Sequence, residues 1–109
     1  MRKEREERLA KNESLFRVLN ENIRDLASRL APGETYEFIC ECPTRDCFER
    51  LTMTLPEYEQ VRADGTHFLL AERHEEPEIE RVIATRATHV VVEKEGLAGV
   101  VANADDPRG

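Results

Sequence analysis

Three observations predict an α+β fold, with a long N-terminal amphipathic helix followed by a small antiparallel sheet and one short helix. Apolar residues recur at helical spacing through the first thirty positions. Beyond them, short β-branched and aromatic runs are punctuated by turn residues, with one strong helix-start signal among them. All three cysteines fall within eight residues, Cys40 to Cys47, between two of the strand-like runs. A chain of 109 residues makes one folding unit with a modest core, a size that gains from a staple.

The helix comes first. From Leu9 the apolar residues fall at Phe16, Leu19, Ile23, Leu26 and Leu30, which is helical spacing and also a heptad, with Asn12 in the slot between Leu9 and Phe16. Leu15 and Val18 widen the stripe. The charged opening starts the helix and Pro32-Gly33 stops it. Such a stripe either lies on the protein's own body or pairs, through residues 9–30, with a copy of itself or another protein.

Tyr36 to Cys40 reads as a strand with Tyr36, Phe38 and Cys40 on one face, and Phe48 to Met53 as its return. Thr54-Leu55-Pro56-Glu57 opens a short helix: Thr54 caps it, Glu57 occupies the reciprocal capping-box position, and Pro56 is tolerated in the first turn. That helix runs through Tyr58 and Val61 and ends at Asp64-Gly65. His67 to Ala71 is apolar enough for a buried strand, and Glu72 to Glu78 is a polar loop holding His74 and Pro77. Ile79 to Ile83 and His89 to Val92 predict two more strands joined by a hairpin near 85–88, with Val90-Val91-Val92 central in the sheet. Gly96 ends the pair, Leu97 to Ala102 is one weak helical turn, and 105–109 is a tail expected to fray. The expected organisation is a helical segment at 1–31, an α+β domain at 32–104 and the tail.

Net charge is -7, unevenly spread. Residues 1–30 carry eight Arg/Lys against six Asp/Glu, a balance of +2, and residues 31–109 carry eight against seventeen, a balance of -9. The body therefore repels polyanions, and nucleic-acid binding is not expected except through the basic helix. The opening residues are charged where a secretory signal needs an apolar run, and no stretch has the length of a membrane span, so a reducing cytoplasmic setting without membrane contact is expected.

In that setting clustered cysteines bind metal more often than they pair. An odd number leaves one thiol over, and a Cys40–Cys42 bridge would close a strained ring. Cys40, Cys42 and Cys47 supply three ligands of a tetrahedral zinc site, presented as a knuckle between two strands. Three thiolates already carry three negative charges, so a neutral imidazole completes the set better than a carboxylate. His67 and His89 are more readily placed in strands. His74 sits in an irregular loop after a strand end, where it can be aimed at the knuckle, and is the expected fourth ligand. His67, His89, Asp46 and water are the alternatives.

The C-x-C-x4-C spacing resembles the zinc loop of the post-SET segment in SET-domain methyltransferases, over eight residues and with nothing of the methyltransferase body. Over its whole length the chain resembles a group of small bacterial proteins of uncharacterised function. In these, a helix precedes a C-x-C-x4-C strand pair, a T-x-x-E-Y segment (Thr54 to Tyr58 here) and a His-Glu-x-Pro-Glu segment (His74 to Glu78). The resemblance implies zinc and His74 as a ligand, and no activity. The chain lacks HExxH, G-x-S-x-G, a phosphate-binding glycine loop and the deaminase signature, and metal ligation would occupy Cys47 as a nucleophile. An enzyme is not expected. The sequence predicts a zinc-stabilised interaction or adaptor module, with a regulator touching nucleic acid through the basic helix, or a thiol redox switch, as alternatives.

Overall fold

A computed structural model describes residues 2–30, 33–44 and 47–108, and within them every side chain except those of residues 2, 3, 6 and 7. Pro32, Asp46 and Gly109 lie outside the described residues. The order is α1 (Arg2–Ala27), β1 (Thr35–Ile39), β2 (Arg50–Thr54), α2 (Leu55–Arg62), β3 (His67–Leu70), β4 (Glu80–Thr85), β5 (Val90–Lys94) and α3 (Gly96–Ala104).

The strands form two antiparallel sheets rather than one. β1 and β2 make a hairpin with Tyr36 opposite Met53 and Phe38 opposite Leu51. The second sheet runs β3-β5-β4, so the Val90-Val91-Val92 run is central, as its β-branched composition predicts. A bulge at Ile83 interrupts the β4–β5 register. The chain passes between the sheets directly after β1. The Cys40 N–H donates to the Glu49 carbonyl at 2.7 Å, extending the hairpin, and the next N–H, of Glu41, donates to the Leu69 carbonyl of β3 at 2.9 Å. The core lies between the sheets and α2, where the Phe38 and Tyr58 rings stack at 4.4 Å and Phe68, Leu69, Leu70 and Val92 are fully buried.

α2 carries the capping box read from Thr54 and Glu57: the Glu57 N–H donates to Thr54 Oγ1 at 3.3 Å, and the Thr54 N–H donates to Glu57 Oε1 at 2.9 Å. The segment after Gly96 is a nine-residue helix rather than one weak turn. It packs on α1, and Gly99 permits its approach to the sheet, since a Cβ there would stand 3.2 Å from the Lys94 carbonyl oxygen. In the terminal segment, Arg62 pairs with Asp106, and Arg108 pairs with Glu21 and with Glu59.

α1 turns to the body a face that its leucine stripe does not predict. Phe16 is buried and Ile23 half-buried, but Leu19, Leu26 and Leu30 are 40, 65 and 62 % exposed, as are Leu15 at 60 % and Val18 at 39 %. Glu13, Ser14, Arg17 and Asn20 are buried instead. Glu13, Arg17 and Asn20 tolerate it because specific partners await them. Arg17 donates to the carbonyls of Gly65 and Ala102, and its guanidinium lies 4.3 Å from the centre of the Phe68 ring. Glu13 meets Lys94, which also meets Glu80 and sits 4.6 Å over the same ring. Asn20 pairs with the backbone of Ile39 in both directions, at 2.8 Å each.

Candidate metal centre

The strand alternation that buries Phe38 carries Cys40 to the same inner side just past the end of β1. Cys42 follows two residues on and is fully buried. Between them Glu41 is pinned on both sides, accepting from Asn20 Nδ2 of α1 at 2.8 Å and from the Leu69 N–H of β3 at 3.0 Å. Burial pushes its carboxyl up to about 7 against those bonds. The Cys47 N–H donates to the Thr44 carbonyl at 3.2 Å. Phe48 then takes a left-handed conformation, φ 46°, before β2.

The fourth side chain arrives from the other sheet. A turn closed by the His74 N–H on the Ala71 carbonyl follows β3 and passes through Arg73 at φ 71°, also left-handed. It presents His74 Nδ1 at 3.6 Å from Cys40 Sγ and 3.3 Å from Cys47 Sγ. One donor atom from each of Cys40, Cys42, Cys47 and His74 lies within 4.8 Å of every other. A tetrahedron with metal–sulfur bonds of ~2.3 Å and a metal–nitrogen bond of ~2.0 Å has edges of about 3.5–3.8 Å, so the four can close on one ion with small adjustments. The residues between which the sequence left the fourth position open separate cleanly. His67 Nε2 stands 3.1 Å from Glu93, and His89 Nδ1 stands 3.0 Å from Thr88 Oγ1. Both line a different cleft of about 220 Å³ beside α2. Asp46 lies outside the described residues.

The surroundings suit thiolates. Each sulfur has a backbone N–H directed to it: Ala71 to Cys40 at 3.1 Å, Thr44 to Cys42, and Glu49 to Cys47. With no cation, the Cys40 thiol hydrogen-bonds Cys42, which raises Cys40 and lowers Cys42 to about 4. Desolvation raises Cys47. A divalent cation would replace these shared protons, leaving a three-thiolate, one-imidazole set with a net charge of -1.

Spacing alone does not reveal Glu49. Its Oε2 lies 3.2 Å from His74 Nε2, so it orients the imidazole with Nδ1 toward the sulfurs, as carboxylates do behind metal-binding histidines. Nor does spacing reveal Asn20 and Glu41, which hold the C-x-C turn. Cys40 and Cys42 are shut away, whereas Cys47 and His74 form the floor of an open groove edged by Thr44, Glu49, Arg73, Glu75 and Glu76. The fold and site together define an α+β protein with a Cys3His cluster able to hold a metal ion. Comparison with protein-family models, curated proteins and solved structures gives no match. Among the described residues no helix is long and apolar enough to cross a membrane.

Proposed function

We propose that this is a small cytoplasmic zinc-binding protein in which the metal is structural and the folded body serves as a protein-interaction or adaptor module, without catalysis of its own. The observation that carries this reading is the closed donor set: three sulfurs and one imidazole nitrogen converge within 4.8 Å. All four tetrahedral positions are then protein-supplied, which is the structural arrangement, whereas catalytic zinc keeps one position open. Sulfur-rich donors favour zinc over hard cations. The ion would fasten the β1–β2 hairpin to the turn after β3, joining two sheets that otherwise meet through side-chain packing and single backbone bonds.

A nucleic-acid role for the basic helix loses support, because four of its cations are already engaged. Arg5 pairs with Glu78, Lys11 with Asp105, and Arg24 with Glu59, while Arg17 is buried. A redox role keeps one specific support, the position of Cys47 on the floor of the open groove.

Elemental analysis of the purified protein, followed by cobalt substitution, tests the metal reading. One equivalent of zinc is expected, and cobalt should give thiolate charge-transfer bands with tetrahedral visible absorption. Cys42→Ser should abolish both and impair folding, whereas His74→Ala should retain weaker binding with water in the vacated position. Protein that folds normally and takes up no metal would overturn it.

A further inference from the structure

The geometry points to the outer face of α1 as a self-association surface, on which a second copy of this chain lies antiparallel about a two-fold axis passing near Asn22. This rests on the interaction-module reading above and names its partner. The helix buries Glu13, Arg17 and Asn20 and leaves Leu15, Val18, Leu19 and Leu26 on the opposite face. Leu30 follows in the tightened turn after the helix, and Phe48, 55 % exposed, stands beside Leu15, the two sharing a cleft of about 260 Å³ with Asn12 and Phe16. A helix free to choose its inner face by hydrophobicity would have buried its leucines. Here the inner face is fixed by paired polar groups, so the leucines are held outward as a rigid apolar strip.

The spacing of that strip says what covers it. Leu15 and Leu30, and Leu19 and Leu26, are each symmetric about the point midway between residues 22 and 23. An antiparallel copy therefore sets Leu15 against Leu30 and Leu19 against Leu26 at both ends of the contact. A parallel copy would instead confront each leucine with itself and leave the charged N-terminal half of one helix beside that of the other. Asn22 is exposed and falls at the axis, where an amide, both donor and acceptor, pairs with its own symmetry mate.

Charge agrees with this orientation. The strip is apolar only from Leu15 onward, and toward the N-terminus the same face carries the exposed Arg8. The antiparallel arrangement brings that end toward the C-terminal end of the other copy's helix, beyond which Glu34 is exposed. Opposed helix dipoles add to the preference. The six apolar residues expose roughly 600 Å² per copy, so a pair buries about 1,200 Å², the lower end of the range for specific interfaces.

Sedimentation equilibrium on the zinc-loaded protein, with metal content measured on the same sample, tests this. The expected species is a dimer of two 12.6 kDa chains. Leu19→Glu together with Leu26→Glu should raise the dissociation constant at least ~100-fold with zinc retained, since both charges would be buried unpaired. A benzophenone side chain at position 19 should cross-link to the tryptic peptide 25–29 of the other copy. A wild-type monomer at roughly 200 µM with zinc bound overturns the proposal and leaves the face to a different protein. A variant that stays dimeric, or cross-linking into peptide 18–24, overturns it as well. Absence of zinc in a dimeric sample would instead count against the metal reading alone, and the wild-type mass decides even if the double variant fails to fold.

Discussion

Replacing Glu13 by glutamine is expected to stabilise the protein at neutral pH and to flatten its pH dependence. The side chains of Glu13, Glu80 and Lys94 are all fully buried, with the ammonium against one oxygen of each carboxylate. Two carboxylates facing one ammonium leave an uncompensated charge away from water unless one of them keeps a proton. Glu80 also accepts the Glu76 N–H at 2.8 Å. Burial holds Glu13 well above the usual carboxylate range, outweighing the pull of Lys94.

The folded state thus binds a proton at Glu13 that the unfolded chain sheds near pH 4.3. An acid whose folded pKa is raised costs stability as pH climbs from its unfolded value toward its folded one, by up to roughly 1.4 kcal/mol per pH unit, and costs nothing below the unfolded value. At ~2.1 cal/mol/K per residue, 109 residues give an unfolding entropy of about 0.23 kcal/mol/K, so this slope is worth about 6 °C in Tm per unit. Glutamine preserves the shape and a carbonyl acceptor, offers an N–H where the protonated acid offers an O–H, and has nothing to titrate. Thermal melts of metal-loaded wild type and Glu13→Gln at pH 5, 6 and 7 give the comparison, and taking their difference cancels the proton linkage of the metal centre. The gap in Tm should widen with pH in favour of the variant. Parallel curves, or a variant that melts below wild type at pH 7, would refute the reasoning.

Stripping the metal with a chelator should lower Tm by at least ~20 °C, because structural zinc contributes ~10–16 kcal/mol against a typical net stability of 5–15, and unchanged melting would dismiss the structural role. Glu49→Gln should weaken metal affinity about 10-fold in competition with a chromophoric chelator, and an unchanged affinity would mean that His74 needs no orienting carboxylate. Arg73→Gly should leave stability unchanged or raise it by up to ~1 kcal/mol, since the left-handed backbone there suits glycine, while Arg73→Val should lower it in chemical denaturation.

Much of this architecture is legible in the sequence because it is encoded locally. The capping box at Thr54 and Glu57 needs only four consecutive residues, and the centrality of Val90-Val91-Val92 follows from composition. The cysteine cluster announces itself by density, and His74 follows from the shape of its loop and the charge of the other donors. The helix face is illegible for the opposite reason. What decides it are the Gly65 and Ala102 carbonyls, Lys94 and the Ile39 backbone, 19 to 85 residues away from their partners on α1. A polar residue that will be paired inside looks, in sequence, like one that will be solvated. The sequence understates α3 because Gly96 and Gly99 weaken its intrinsic helicity, whereas packing against α1 supports it. The two-sheet division turns on single backbone bonds from Cys40 and Glu41 that no periodicity records.

The inward face of α1 also sets the order in which the protein can be assembled. The helix is synthesised before the groups it docks on: Glu13 needs Lys94, Arg17 needs the Ala102 carbonyl and Glu21 meets Arg108. At synthesis rates of ~5–20 residues per second, the 85 residues separating Arg17 from Ala102 take roughly 4–17 s to appear. Throughout that interval Glu13 and Arg17 lack their partners, although the Ile39 backbone that Asn20 meets is only 19 residues on. Docking is therefore a late, non-local step, completed only once Lys94, Ala102 and Arg108 have followed.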